Sequence, residues 1–151
     1  MKLNEVEILL IEDNPYEAEL AIRNLKKYNL GNKLYHIDDG AEALEYIFSG
    51  NKEDGVSEQQ IFNPKVILLD LKLPKVSGQE ILREIRANDL TSTIPVVVLT
   101  SSSEESDIKE CYKLGANSYI VKPVSFDSFS KAMKDLSMYW LLLNKRPVNT
   151  L

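Results

Sequence analysis

The chain has a single cysteine, Cys111, in 151 residues. That excludes an internal disulfide and any cysteine-built metal cluster, and Cys111 reads as a small core hydrophobe. Long apolar runs are also missing: none approaches the ~20 residues that cross a bilayer. The opening Met1-Lys2-Leu3-Asn4-Glu5 has neither the apolar core nor the cleavage site of a signal peptide. Basic charge is in deficit, 18 Lys and Arg against 23 Asp and Glu for a net charge of −5, so the positive face of a nucleic-acid binder is not expected. The lone histidine, His36, has no Ser or Asp constellation beside it and reads as a surface residue. Six glycines and six prolines are too few for a disordered chain. What remains is a cytoplasmic globular domain with no membrane or nucleic-acid partner, 44% apolar and long enough to bury a core.

Four short apolar runs each end on a residue able to handle a phosphate or a metal. Residues 8–11 run into Glu12-Asp13, 66–69 into Asp70, 96–99 into Thr100 and 119–121 into Lys122. The runs are rich in Val, Ile and Leu and too short for buried helices. Turn chemistry and a helical pattern follow each one. Such alternation predicts a doubly wound α/β fold, its parallel strands buried on both faces and joined by crossover helices. A fifth, weaker strand is expected over residues 34–37. Asn14-Pro15 opens the first helix with a cap and a proline at its first position. Ala41, Leu44, Ile47 and Phe48 lie at helical spacing. Ser77 with Glu80, and Ser102 with Glu105, match capping boxes. Gly115 ends the fourth helix. Phe129, Ala132, Met133, Leu136 and Trp140 form the inner stripe of the last one. The polar stretch 49–64 is longer than usual for a helix-to-strand connection and reads as an elaboration. About eight residues follow the last helix, so no second domain is expected after it.

In a parallel sheet all strand ends of one sense share one edge, where ligands bind. Glu12, Asp13 and Asp70 together make an all-oxygen donor set of the kind Mg²⁺ prefers. Lys122 offers a point charge for a phosphoryl oxygen and Thr100 a hydroxyl donor. An aspartate can itself be the nucleophile of phosphoryl transfer, and Asp70, ending the central strand, is the best placed. Taken singly, an acid after a strand is more often a turn or cap residue, Lys-Pro a turn, and Tyr119 a core aromatic. The joint placement of five such residues at four strand ends outweighs those readings.

These residues resemble the receiver domain of two-component response regulators. The motifs that carry the likeness are Glu12-Asp13, the block Ile67-Leu68-Leu69-Asp70-Leu71-Lys72-Leu73-Pro74 with Gly78 after it, Thr100-Ser101, Leu114-Gly115-Ala116 and Lys122-Pro123. The resemblance implies a flavodoxin-like five-stranded sheet of order 2-1-3-4-5 over residues 5–143, with 144–151 a short tail. It implies that Asp70 takes a phosphoryl group from a sensor histidine kinase. Mg²⁺ would be held by Asp13, Asp70 and the backbone carbonyl of Lys72, with Glu12 contacting it through water. Thr100, Ser101 and Lys122 would bind the phosphoryl group, Thr100 and Tyr119 would form the switch, and the Lys122-Pro123 peptide would be cis. The polar loop 49–64, the Leu-Pro-Lys after Asp70 and Trp140 look most like stand-alone regulators of bacterial and cyanobacterial phytochrome kinases.

Without an output domain, the readout would be a protein contact with a downstream target, a phosphotransfer protein or a second copy of the chain. Surplus apolar residues over 139–143 point to a homodimer. Two enzyme or carrier readings fit less well. A haloacid-dehalogenase-type phosphatase resembles a pattern with a second Asp two residues after the nucleophile, where this chain has Lys72. A flavodoxin-type flavin carrier would meet its phosphate with Glu12-Asp13, which repel it. A receiver that binds without phosphorylation is the rival within the fold, and the intact residue set weighs against it.

Overall fold

The computed structural model describes residues 1–49 and 62–147. Five strands, β1 (Ile8–Ile11), β2 (Leu34–Ile37), β3 (Val66–Leu69), β4 (Val96–Thr100) and β5 (Ser118–Val121), alternate with five helices. The helices are α1 (Pro15–Lys27), α2 (Gly40–Ile47), α3 (Gly78–Ala87), α4 (Glu105–Lys113) and α5 (Phe126–Met138). The sheet is parallel throughout with order β2-β1-β3-β4-β5, the expected arrangement. Most of the 49–64 stretch, and the end of the 144–151 tail, lie outside the described residues.

The two-residue period of a strand divides the core. Leu9, Ile11, Ile67, Leu69, Val96 and Val98 pack on the α2–α3–α4 side with Ile81, Leu82, Ile85 and Cys111. Ile8, Leu10, Val66, Leu68, Val97 and Leu99 face α1 and α5, meeting Ala18, Ala21, Leu25, Phe129 and Met133. Both faces are covered, so the central strands read as unbroken apolar runs. Cys111 is fully buried, and burial pushes its thiol up to about 11, which leaves it inert at neutral pH.

Helix starts follow their caps. Asn14 Oδ1 accepts from the backbone N–H groups of Tyr16 (3.0 Å) and Glu17 (3.1 Å), Asp39 Oδ1 from Glu42 (2.9 Å), and Ser77 Oγ from Glu80 (3.2 Å). The fourth helix departs from expectation. It is capped at Glu104 without a side-chain bond, because Ser102 is held outside it: its hydroxyl donates to Asp107 (2.5 Å) and its carbonyl accepts from Tyr119. In α2, Ala43 rather than Ala41 is fully buried. The stripe of α5 holds through Phe129, Met133 and Leu136, then shifts phase. The chain widens into a π-turn, Tyr139–Leu143, closed by Asn144 N–H donating to Tyr139 O (2.7 Å). Leu141 is therefore buried and Trp140 only half-buried.

Two devices fix the loops. Gly78 N–H donates to Leu71 O (2.9 Å), and a Cβ at Gly78 would lie 2.4 Å from the carbonyl oxygen of Asp70. Only glycine lets α3 start that close to the site edge. At the opposite edge Arg86 donates to the carbonyls of Gly115 (2.9 Å), Ser92 (3.0 Å) and Ile94 (2.8 Å) and to Asn117 Oδ1 (2.8 Å). One guanidinium thereby joins α3, the loop before β4 and the turn before β5. Arg86→Ala is expected to destabilise the fold by about 2–3 kcal/mol in urea unfolding, and Arg86→Lys to recover less than half, because an ammonium cannot span four acceptors. A loss below about 0.5 kcal/mol would show that the fork adds no net stability.

Candidate functional site

At the carboxyl edge of the sheet, β1 delivers Glu12, β3 delivers Asp70 and β5 delivers Lys122. Their backbones are fixed by the sheet: Glu12 N–H donates to Ile37 O (3.0 Å), Asp70 N–H to Ile11 O (3.0 Å) and Lys122 N–H to Thr100 O (2.7 Å). The Lys122 side chain, only 7% exposed, places Nζ 2.5 Å from Glu12 Oε1 and 3.3 Å from Asp70 Oδ2. A residue missed by sequence reasoning joins them. Glu17, in the first turn of α1, sets Oε2 2.5 Å from the same Nζ. Carboxylate oxygens of Glu12, Glu17 and Asp70 all lie within 4.8 Å of one another. A glutamate there reads in sequence as an ordinary helix-start acid, so only the proximity of α1 to the sheet edge could have flagged it.

The remaining expected residues are placed less uniformly. Thr100 ends β4 fully buried, and its hydroxyl has no hydrogen-bond partner among the described residues. Asp13, Lys72 and Ser101 are exposed, and Asp13 is not part of the carboxylate cluster. The Lys72 N–H faces Asp70 Oδ1 at 3.4 Å. The Tyr119 hydroxyl donates to Ser102 O (2.9 Å). The Lys122-Pro123 peptide is trans, since no described peptide bond is cis, which corrects the expectation. Proline narrows the trans preference without abolishing it, and from this backbone Lys122 already reaches its carboxylates. His36 is also corrected. It is half-buried behind the site, with Nε2 2.8 Å from the Glu12 carbonyl oxygen.

Three carboxylates share one ammonium in a largely buried site. Burial, reinforced by the hydrogen bond and charge of Asp70, pushes the Glu12 carboxyl up to about 8 against the pull of Lys122. Burial alone would lower Lys122, but its bonds to Glu12 and Glu17 outweigh it and hold the ammonium above its usual range. A clustered all-oxygen donor set with uncompensated negative charge fits a hard divalent cation, and the Thr100 hydroxyl, without a partner among the described residues, is a donor suited to an anion.

Residues 8–134 match the model of the response regulator receiver domain. Response regulator Rcp1 of Synechocystis is 35% identical over 134 residues, spanning 89% of this chain and 88% of its own. The crystal structure of its Mn(2+)-bound form superposes with a TM-score of 0.81. The phosphorylated form of the cyanobacterial phytochrome response regulator RcpA gives a TM-score of 0.82 at 32% identity, covering 95% of this chain and 99% of that one. The bacteriophytochrome response regulator AtBRR is 46% identical, with a TM-score of 0.66 over 93% of this chain and 98% of its own.

The Glu12 shift has a definite sign. Its folded pKa lies above the ordinary 4.5, so between 4.5 and about 8 the folded state binds the extra proton. Stability contributed by that proton is full below 4.5 and is lost as pH rises through about 8. In metal-free buffer the unfolding free energy is expected to fall across this window, and Glu12→Gln to flatten the fall. Parallel pH profiles for the two proteins would refute the assignment.

Proposed function

Because the chain belongs to the response regulator receiver domain family, we propose that Asp70 accepts a phosphoryl group from the phosphohistidine of a sensor histidine kinase and that the chain signals through a protein-binding surface sensitive to that group. The observation that carries this reading is the pairing of buried Asp70 with Lys122 Nζ, 3.3 Å away, together with a buried Thr100 at the end of the adjacent strand whose hydroxyl has no hydrogen-bond partner among the described residues. An Asp70 carboxylate oxygen attacks phosphorus, the P–N bond breaks, and its electron pair stays on the imidazole. Lys122 meets the phosphoryl oxygens as a point charge and Thr100 donates to one of them, so the chain contributes alignment and charge neutralisation. The chain is a phosphoacceptor rather than an enzyme with a separate substrate.

Mg²⁺, when bound, supplies further neutralisation of the phosphoryl oxygens. Asp70, Asp13 and the Lys72 carbonyl would hold it, with Glu12 behind them through water. Of these residues Asp70 and Glu12 belong to the acidic cluster, whose oxygen donors favour a cation at this edge, while Asp13 and Lys72 follow from the receiver motifs.

Thr100 stands two residues before Ser102, whose carbonyl holds the Tyr119 hydroxyl and whose own hydroxyl holds Asp107 of α4. Drawing Thr100 towards a phosphoryl group shifts that shared anchor, and Tyr119 and α4 with it, between two arrangements of the α4–β5–α5 surface. Ser101 would add a second donor. The likeness to RcpA and AtBRR supports a phytochrome-type kinase as donor. The receiver of the signal is a protein target, a phosphotransfer protein or a second copy. The homodimer reading rests on exposed Tyr139, Leu142 and Leu143 at the end of the described chain.

Intact mass spectrometry after incubation with acetyl phosphate and Mg²⁺ is expected to show a single phosphoryl adduct that Asp70→Asn abolishes. Its absence from the unaltered protein would leave a receiver fold that binds without phosphorylation. Thr100→Ala and Tyr119→Ala are each expected to keep the adduct and lose the dependence of partner affinity on it. Undiminished dependence in both variants would overturn the coupling.

A further inference from the structure

We propose that Glu17 is a positioning residue that holds Lys122 in the resting protein and must release it for the phosphoryl group to be bound. The inference rests on Asp70 as phosphoacceptor and assigns a regulatory part to a side chain outside the receiver motifs. In the resting arrangement Lys122 Nζ lies 2.5 Å from Glu17 and Glu12 but 3.3 Å from Asp70. The ammonium is therefore spent mainly on residues other than the acceptor, and an incoming phosphoryl group has to win it back.

Of the two closer carboxylates only Glu17 can leave. The Glu12 side chain is 5% exposed. Its backbone is fixed through Ile37 O and its carbonyl by His36. Glu17 is 36% exposed and sits in the first turn of α1, where the helix dipole favours its charge with or without Lys122. Beside it opens a cleft of about 330 Å³ between α1 and the start of α5, lined by Tyr16, Glu17, Lys122, Pro123 and Phe126. That space admits the released carboxylate without repacking the core. Glu17 also adds a negative charge within 4.8 Å of the Asp70 carboxylate, which repels an anionic phosphodonor as well as competing for the lysine.

The test compares Glu17→Gln with Glu19→Gln, which removes an equal charge from an exposed position of the same helix where the carboxylate pairs with Arg23, 3.4 Å away. In metal-free protein, solvent exchange of the Lys122 ammonium protons, followed by NMR, is expected to quicken in Glu17→Gln and stay unchanged in Glu19→Gln. With Mg²⁺, beryllofluoride is expected to bind Glu17→Gln about fivefold more tightly, and acetyl phosphate to form adduct about fivefold faster, the scale of removing one nearby charge. In that transfer Asp70 attacks phosphorus, the bridging P–O bond breaks, and the electron pair departs on acetate. Equal behaviour of both variants and the unaltered protein, with adduct still formed, would overturn the role of Glu17 and leave the phosphoacceptor reading standing. Weaker beryllofluoride binding in Glu17→Gln would also overturn it, since Glu17 would then be presenting the lysine instead of withholding it. Failure of the unaltered protein to form adduct would overturn both.

Discussion

The Lys122 ammonium is the point on which the carboxyl edge depends. Burying a lysine is costly unless its charge is met, and here it is met by three acids drawn from β1, α1 and the end of β3. The acids depend on it in turn: without the lysine they would crowd together within a few ångströms, two of them almost wholly buried. The balance is incomplete, because one positive charge faces three carboxylates. Burial, with Asp70 beside it, raises Glu12, and the shortfall keeps the edge receptive to a second cation. An edge tuned only for stability would replace one of these acids by an apolar or neutral residue.

Strand order explains why so few residues suffice. β1 and β3 pair at the centre of the sheet, so their terminal acids Glu12 and Asp70 are neighbours despite their distance in sequence. The chain reverses direction of travel across the sheet at this point, and the crevice that opens there is where open α/β sheets bind ligands. Lys122 arrives from the edge strand β5 and reaches back past Thr100 on β4. Gly78 lets α3 begin against the Asp70 carbonyl.

The sheet was legible because its signals are local. Unbroken apolar runs for Ile8–Ile11, Val66–Leu69 and Val96–Leu99, and caps at Asn14 and Ser77, depend on residue types at fixed spacing. The parts that escaped depend on distance or on backbone partners. Glu17 acts on a lysine 105 positions away, and nothing in α1 distinguishes it from Glu19. Arg86 spends its fork mostly on carbonyls, which every residue has. Ser102 matched a helix cap in composition, yet two tertiary bonds took its hydroxyl and carbonyl first. The phase slip that buried Leu141 came from a π-turn with no residue signature of its own.

The same π-turn has a mechanical consequence. It brings the Leu141 carbonyl to Lys65 Nζ (3.4 Å), and just beyond it Arg146 donates to the carbonyls of Asn63 and Pro64 (2.6 Å each). Residues 141–146 are thereby fastened to the segment that leads into β3, the strand whose tip is Asp70. The central strand is pinned at both ends by side-chain bonds between distant parts of the chain, those of Lys65 and Arg146 at its start and of Lys122 at its tip.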